Sequence, residues 1–207
     1  MELRTRQARP ADTARIAEIH VKANRAAFTR LLPKRELDAL CPHQMARRWA
    51  PLTLTHDGGF FVAEENQVVG FCLVTRARGE LPDNHAAEIM AIYVDPERHS
   101  AGIGTRLMDI ALDHASIRGF TEIMLWVLPG NERARRFYES FGFSSNGVEN
   151  THHGLRAKTP HLEYRRPLLS LLTSDPLGHE SAKGDECASH PSDEIPELRC
   201  SKIVPLA

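Results

Sequence analysis

The middle of the chain has a hydrophobic pattern that predicts a strand, a glycine loop and a helix. Residues 87–94 are apolar at both alternating sets of positions, which is typical of a strand buried on both faces. One face of this strand is expected to carry Ile89, Ala91 and Tyr93, and the other Met90, Ile92 and Val94. Asp95-Pro96 ends the strand, because proline donates no backbone hydrogen bond. Apolar residues then recur at helical spacing from Ile103, and Gly119 is expected to end the helix in the left-handed conformation.

The N-terminal quarter of the chain is predominantly helical in its pattern. Residues 3–8 predict a short first strand, and Asp12 is expected to be the N-cap of a helix. The apolar stripe of that helix is Ile16, Ile19, His20, Ala23 and Ala27. Pro33 can start a short second helix, and residues 43–52 predict a third that buries Met45 and Trp49.

The remaining elements alternate between strand and helix. Residues 60–63 and 68–75 predict a hairpin, followed by a polar loop over 76–86. Residues 123–128 predict a second buried strand, and a helix is expected from Asn131 to about Ser140. Two further strands are expected, a weak one from Phe143 with a turn at 146–147 and a last one over 161–166. The order of elements is that of an α+β domain.

Composition supports one folded domain and a tail. From residue 170 onward Ser, Pro, Asp, Glu and Gly dominate without a sustained period, so we expect a domain over 1–169 and a flexible tail over 170–207. Lys and Arg number 26 against 27 Asp and Glu, a balance that does not favour a nucleic-acid partner. The chain has no apolar run long enough to cross a membrane and no hydrophobic signal core, so a cytoplasmic protein is expected.

The cysteines and histidines do not predict a metal site. Four cysteines, with no C-x-x-C spacing, are expected to be free thiols in a reducing compartment. His152 and His153 would point to opposite sides of a strand, and no third ligand is placed. We therefore expect no metal.

The glycine loop is a candidate anion site. A helix that begins at Gly102-Ile103-Gly104 presents unpaired backbone N–H groups and a partial positive charge, and glycine lets a phosphate approach the backbone. A tight turn that binds nothing has the same pattern, and the loop by itself does not decide between them. A dinucleotide-binding fold is disfavoured, because Leu107 stands where its third glycine is required.

Two motifs together resemble those of the GCN5-related N-acetyltransferases (GNAT). They are VDPERHSAGIGTRLM over 94–108 and LWVLPGNERARRFYESFGF over 125–143, and the resemblance covers residues 3–168. It implies an α+β fold with a mixed, twisted sheet, helices on both faces and two central parallel strands that splay apart. It also implies an acetyl-CoA-dependent N-acetyltransferase, with acetyl-CoA as co-substrate and an amine-bearing acceptor. Homodimers are common in this family, so a homodimer is a further possibility.

The resemblance implies which residues bind the cofactor. The implied set is Ile92, Tyr93, Val94, His99, Ser100, Ala101, Gly102, Ile103, Gly104, Thr105 and Asn131. Family members usually have Gln or Arg at the first loop position, where this chain has His99. A neutral imidazole supplies less charge to a pyrophosphate than arginine does, so Arg98 is a second candidate for that contact.

Glu88 and Tyr138 are the candidate catalytic residues. The resemblance implies that Glu88 is the general base; an edge carboxylate with no catalytic role is the alternative, and His85 is the competing base. Tyr138 is implied as the acid that protonates the thiolate of CoA, although an aromatic residue on a helix stripe can also be purely core. Arg133, Arg135 and Arg136 are expected on a solvated helix face, where one could reach the 3′-phosphate of CoA.

The sequence leaves the acceptor open. The resemblance implies that residues 28–49 and 146–160 surround it, but neither stretch has a pattern that indicates a substrate class. The second functional hypothesis is a non-catalytic module that binds acyl-CoA as a sensor or holds a partner. Such a module would need the glycine loop but neither Glu88 nor Tyr138.

Overall fold

The computed structural model describes residues 2–54, 59–77, 85–98, 102–154 and 157–168. Expectations for residues 99–101 and for the tail over 170–207 lie outside this part of the chain. The strands are β1 (Arg4–Gln7), β2 (Phe60–Glu64), β3 (Val68–Arg76), β4 (Ala86–Val94), β5 (Glu122–Val127), β6 (Ser144–Gly154) and β7 (Ala157–Pro167). The helices are α1 (Thr13–Phe28), α2 (Lys34–Asp38), α3 (Pro42–Trp49), α4 (Ile103–Ile117) and α5 (Glu132–Ser140).

All seven strands form one sheet in the order β1-β2-β3-β4-β5-β7-β6. Neighbouring strands are antiparallel except for β4 and β5, which are parallel. This confirms the predicted mixed sheet with two central parallel strands. A parallel pair requires a crossover, and α4 supplies it.

Helices cover both faces of the sheet, as predicted. One face packs against α4 and α5 through a core that includes Leu107, Ala111 and Tyr138. The other face packs against α1 and α3 through a core that includes Ile16, Ile19 and Trp49. Since β4 lies between the two layers, all its residues are buried, which explains its unbroken apolar run.

A β-bulge in β4 corrects the predicted faces of that strand. Leu73 pairs with Ala91 and Val74 pairs with Ile89, so Met90 is the extra residue. Ile89 therefore shares the α4–α5 face with Ile92 and Val94. Met90, Ala91 and Tyr93 share the other face. Simple alternation failed because one inserted residue reverses every side chain that follows it.

Asp12 precedes α1 but does not cap it with its side chain. The Asp12 carboxylate accepts hydrogen bonds from Arg6 Nη1 at 2.7 Å, Arg6 Nη2 at 3.0 Å and the Arg9 backbone N–H at 2.7 Å. Burial raises the pKa of this carboxyl, but the hydrogen bonds from Arg6 and Arg9 lower it more, so the net pKa lies below its ordinary value. Asp12 is the N-cap residue of α1, as predicted, but its side chain does not bond to an N–H of that helix, because a guanidinium competes more strongly for the carboxylate than a helix N–H does.

Several boundaries differ from the predicted ones. Helix α3 ends at Trp49, and residues Ala50–Leu54 form a 3₁₀ turn. The strand β3 continues to Arg76 and β4 begins at Ala86, so the predicted loop over 76–86 is shorter at both ends. The hairpin of β6 and β7 is longer than its weak pattern indicated. No helix in the described ranges has both the length and the apolar character that crossing a membrane requires.

Candidate active site

The parallel strands β4 and β5 pair only at their N-terminal ends. The register joins Ala86 to Glu122, Ala87 to Ile123 and Glu88 to Met124, and ends there. Residues 89–94 of β4 continue along β3 but have no strand pairing with β5 among the described residues. This confirms the predicted splay. The edge of β4 that faces β5 can therefore accept an extended ligand as an added strand.

Glu88 lies where the two strands separate. It is the last residue of β4 that pairs with β5, and its side chain is 1% exposed. Ala87 and Ile89 face α4 and α5, so alternation places Glu88 on the opposite face, towards α1 and α3. His85, the competing base, is exposed just before β4, and its carbonyl accepts a hydrogen bond from the Thr121 N–H at 2.9 Å. The structure thus places Glu88, rather than His85, at the point of separation.

The helix α4, which follows the C-terminal end of β4, begins after a glycine in the left-handed region. Gly102 is the N-cap residue, with φ of 71°, a conformation that residues with a Cβ rarely adopt. A Cβ built at Gly102 would have nothing within 4 Å, so the space in front of the helix is open there. Ile103 is buried, whereas Thr105 is exposed. The described part of the loop suits an anion, while the candidates His99, Ser100 and Ala101 lie outside the described residues.

Arg98, the second candidate for the pyrophosphate contact, is already in an ion pair. Its Nη2 contacts Glu65 Oε2, in the turn between β2 and β3. The preceding residues are also fixed, because Arg15 of α1 pairs with the buried carboxylate of Asp95 and donates to the Val68 carbonyl at 3.0 Å. The turn that leads into the glycine loop is therefore held by both α1 and the β2–β3 hairpin. Nothing in the sequence pattern indicated these long-range pairs.

Asn131 lies at the carboxyl end of β5 and caps α5. Its Oδ1 accepts a hydrogen bond from the Ala134 N–H at 3.2 Å, as expected for an N-cap. Its Nδ2 is buried and has no hydrogen-bond partner within the described ranges. Buried donors are nearly always paired, so this amide is suited to donate to a ligand that lies between the strands.

Tyr138 is completely buried on α5. Its ring packs edge-on against Phe137, with centroids 5.6 Å apart, and against Phe143 at 6.1 Å. Burial raises the pKa of the Tyr138 phenol well above its ordinary value, and the phenol of Tyr93 on β4 raises it further. Tyr138 is therefore protonated at neutral pH and lies within electrostatic range of the strand that borders the splay.

The helix α5 is fixed to β7 by a network that the sequence did not indicate. Arg135 Nε donates to the Tyr164 hydroxyl at 2.9 Å, and that hydroxyl donates to Glu139 Oε1 at 2.9 Å. Arg135 Nη1 also donates to the Pro129 carbonyl at 3.2 Å. The expectation of a solvated face holds for the exposed Arg133 and Arg136 but was wrong for Arg135. Only the tertiary structure brings Tyr164 beside α5.

An aromatic cluster joins Tyr93 of β4 to α1 and α3. The Tyr93 ring is stacked on Phe71 at 5.1 Å and lies 4.8 Å from the His20 ring, which in turn lies 5.5 Å from Trp49. Burial, together with the positive charge of Arg48, lowers the pKa of His20 to about 3. His20 is therefore a neutral imidazole at physiological pH and too weak a base to remove a proton from an amine.

The mixed sheet, the separation of β4 from β5 and the glycine N-cap of α4 together define an α+β protein with the fold of the acyl-CoA N-acyltransferases. The family model described as "Acetyltransferase (GNAT) family" matches residues 16–143, which is more than half of the 207 residues. The chain belongs to this family.

Curated relatives support the same assignment. A probable N-acetyltransferase of Mycobacterium tuberculosis is 30% identical over 168 residues, which are 79% of this chain and 92% of that protein. Mycothiol acetyltransferase of Thermobispora bispora is 39% identical over 88 residues, which are 42% of this chain and 30% of that protein. This chain thus spans under a third of the second relative, whose match is confined to one segment.

Solved structures show the same fold at low sequence identity. The PaiA N-acetyltransferase of Thermoplasma acidophilum, in complex with coenzyme A, has a TM-score of 0.61 and 16% identity over 79% of this chain and 98% of that chain. YncA of Salmonella typhimurium, a putative acetyltransferase with its cofactor acetyl-CoA, has a TM-score of 0.61 and 21% identity over 90% of this chain and all of that one. At these identities the likeness concerns the fold.

Proposed function

We propose that this protein transfers the acetyl group of acetyl-CoA directly to a primary amine of an acceptor. The observation that carries the proposal is the end of β4–β5 pairing at Glu88. The separation leaves an edge of β4 without pairing to β5 among the described residues, and the buried carboxylate of Glu88 lies where the separation starts. A family member that only binds acyl-CoA would need the open strand edge but not a buried carboxylate beside it.

The residues around the splay fit acetyl-CoA. The backbone of Ile92, Tyr93 and Val94 would pair with the pantetheine arm along the free edge of β4. The N–H groups at the start of α4, from Gly102 to Thr105, would bind the pyrophosphate. The buried Nδ2 of Asn131 would donate to a carbonyl of the arm. When bound, acetyl-CoA supplies the acetyl group and a thiolate leaving group.

Glu88 and Tyr138 would divide the proton transfers. An amine nucleophile must lose a proton, and the Glu88 carboxylate can accept it directly or through one water. A backbone N–H of β4 beside the splay would stabilise the negative charge that develops on the carbonyl oxygen. Tyr138, which burial keeps protonated, would donate its proton to the departing sulfur. The residues therefore support direct transfer.

A cysteine nucleophile is not needed and is disfavoured for Cys72. The Cys72 thiol is buried in the core beneath α4, and its Sγ lies 3.5 Å from the Leu107 carbonyl. Burial raises the pKa of this thiol far above its ordinary range, so it carries no thiolate at neutral pH. We therefore propose a mechanism without an acyl-enzyme.

The test is a CoA-release assay on the purified full-length chain with a panel of amines, run on the parent and on Glu88→Gln. The glutamine keeps the shape of the side chain and removes the proton acceptor. We expect amine-dependent CoA release by the parent, and loss or displacement of the acidic limb of the rate–pH profile in the variant. Acetyl-CoA affinity should be unchanged, as measured by calorimetry. Glu18→Gln on the exposed surface of α1 is the control.

Two outcomes would contradict the proposal at different levels. A parent protein that binds acetyl-CoA, but from which none of the amines tested causes CoA release, would favour the sensor or binding module. A Glu88→Gln variant with the parent's rate and profile would assign proton removal to another group or to solvent.

A further inference from the structure

Asn24 is a fully buried amide on α1. The residue is 0% exposed, and its Nδ2 donates to the His20 carbonyl at 2.7 Å, which identifies Oδ1 as the remaining acceptor of the amide. That oxygen is buried and accepts no hydrogen bond from the described residues. Buried side-chain polar atoms are paired in the large majority of cases, so this oxygen is suited to a donor that the described part of the chain does not supply.

The polar side chains around this amide do not provide the donor. His20 lies one turn earlier on α1, and its Nδ1 is itself buried without a hydrogen-bond partner in the described ranges. The same holds for Nε1 of Trp49, whose ring lies 5.5 Å from that of His20. Arg25, the next residue on α1, donates from Nε and Nη2 to two backbone carbonyls in and after α2, at 3.2 and 3.0 Å.

Helix α1 crosses the sheet from β4 towards the end of β5. In the middle of the helix, the His20 ring lies 4.8 Å from the ring of Tyr93 on β4. Just after the helix, Leu31 lies against the turn that follows β5, because a Cβ built at Gly130 would be 2.6 Å from Leu31 Cδ2. The helix therefore passes over the carboxyl halves of the two strands, which the register leaves unpaired among the described residues.

Asn24 lies on α1 between these two contacts. It is one turn after His20, so both side chains are on the face of the helix that packs against the sheet. Val21 and Phe28, three residues before and four residues after Asn24, share a buried cluster with Leu128, the residue after β5. The helix thus contacts β4 on one side of Asn24 and meets the end of β5 on the other. This places the buried amide where α1 covers the separation of the strands.

The pantetheine arm of acetyl-CoA, rather than the reacting amine, is the group that this position fits. The proposed pairing of the arm with β4 includes Tyr93, the residue that His20 contacts. Glu88, where the amine is proposed to react, is five residues before Tyr93, or roughly 15 Å along the strand. The arm also has the matching chemistry, because it contains two amide groups, and each N–H is a hydrogen-bond donor.

We propose that Asn24 binds the pantetheine arm by accepting a hydrogen bond at Oδ1 from one of the arm's amide N–H groups. Asn131 would donate to a carbonyl of the same arm, and the edge of β4 would pair with it, so three elements would hold the arm. Asn24 lies outside both sequence motifs, which cover residues 94–108 and 125–143. The inference rests on the proposed function and adds a binding residue to it.

The experiment compares two ligands by calorimetry on the purified full-length chain. One is CoA, and the other is adenosine 3′-phosphate 5′-diphosphate, which is CoA without the pantetheine arm. Asn24→Leu keeps a side chain branched at the same carbon and removes the acceptor. The affinity for CoA should fall about tenfold, because an amide N–H of the bound arm would lose its partner, whereas the affinity for the nucleotide should not change. Asn66→Leu, at an exposed site between β2 and β3, is the control and should bind both ligands as the parent does.

The stability of the free protein is the second measurement. Leucine at this position removes a buried acceptor that has no partner in the described ranges, so the thermal midpoint of free Asn24→Leu should equal or exceed that of the parent. A purely structural role of the amide would instead lower the midpoint together with the affinity for CoA. If Asn24→Leu does not fold, Asn24→Ala, which adds no bulk, is measured in the same way.

The failure of this inference can be told apart from failure of the proposed function. A parent that binds neither CoA nor acetyl-CoA contradicts the proposed function. A parent that binds CoA, with equal affinity in the Asn24 variant, overturns only the contact between Asn24 and the arm. Equal losses for CoA and the nucleotide, or a lower thermal midpoint in the free variant, would also overturn that contact, because they would show a change in the fold.

Discussion

The protonation states of single side chains in this protein depend on how deeply the side chains are buried. Tyr138 and His20 are both more than nine-tenths buried, and burial favours the neutral form of each side chain. It keeps the Tyr138 phenol protonated and the His20 imidazole neutral, because both charged forms are disfavoured away from water.

The role of Tyr138 can be tested by removing only its hydroxyl. Tyr138→Phe keeps the ring contacts with Phe137 and Phe143, so packing should survive. General acid catalysis is typically worth about 10²–10⁴-fold, and a thiol of pKa about 8.5 is a tolerable leaving group without it. Turnover should therefore fall by about tenfold to a few hundredfold, with little change in acetyl-CoA affinity. Steady-state kinetics and calorimetry measure the two effects.

Two comparisons make the Tyr138 result specific. An acyl thioester with a more acidic thiol should restore part of the variant's rate, since it needs the acid less. Tyr164→Phe removes a hydroxyl that bonds to Arg135 and Glu139, and it reports what loss of a structural phenol costs. A Tyr138→Phe variant as fast as the parent would return this residue to a purely structural role.

His20 is predicted to make stability depend on pH. Its pKa falls from 6.5 to about 3 on folding, so below pH 6.5 the unfolded chain binds a proton that the folded chain does not. Stability from this group is therefore complete above pH 6.5 and is lost as the pH falls towards 3, by up to about 1.4 kcal/mol per pH unit. His20→Gln should flatten the fall in the free energy of unfolding between pH 7 and pH 5, measured by urea denaturation. His43→Gln, at an exposed site on α3, should not; equal slopes in parent and His20→Gln would contradict the prediction.

At the scale of elements, α4 and α5 follow β4 and β5, the two strands that separate from each other. Both helices begin with a residue specialised for that position, a left-handed Gly102 and a capping Asn131. The Arg15–Asp95 and Arg135–Tyr164 contacts fix these helix starts to other elements. The opening therefore depends on contacts between elements distant in sequence.

Gly104→Glu tests whether the first turn of α4 binds the pyrophosphate. The substitution adds bulk and negative charge where the phosphates are proposed to lie, and an unfavourable like-charge contact costs several kcal/mol. Acetyl-CoA affinity should fall by about a hundredfold or more in calorimetry, while the thermal midpoint changes little. Ile117→Glu places the same charge at the opposite, exposed end of α4 and should leave the affinity unchanged. Unchanged affinity in Gly104→Glu would remove the pyrophosphate from this site.

At the scale of the whole molecule, the described core extends to Leu168. Leu168 belongs to the α4–α5 core, and its N–H donates to the Thr121 carbonyl at 2.8 Å. The expectation that residues 170–207 are a tail, and the possibility of a homodimer, both stay predictions. They are linked, because a tail that bridges two copies would stabilise a dimer.

Deleting residues 170–207 tests both expectations. Since the tail sequence lacks a periodic apolar face, the thermal midpoint should remain within a few degrees of the parent, measured by calorimetry. A deletion that begins at residue 160 removes most of β7 and should prevent folding. It shows the loss of thermal stability expected when part of the folded domain is removed. A large drop for the shorter deletion, or a change in mass in solution, would show that the tail packs on the domain or joins two chains.

The sequence by itself determined the type of most elements and the position of the cofactor-binding candidates. The double-faced apolar run of β4, the glycine start of α4 and the Asn131 cap of α5 are local signals, because strand burial, helix capping and left-handed turns depend on neighbouring residues. Together with two motifs they predicted the fold and the splay. They did not predict the bulge at Met90, which leaves no local signal.

Only the tertiary structure decided which side chains meet. Arg98 pairs with Glu65 across 33 positions and Arg15 with Asp95 across 80, and no local pattern specifies such partners. The unusual pKa of His20 and the burial of Asn24 likewise come from helices packed over the sheet. The physical reason is that desolvation and charge pairing depend on distance in space, whereas hydrophobic periodicity records only which face of each element is buried.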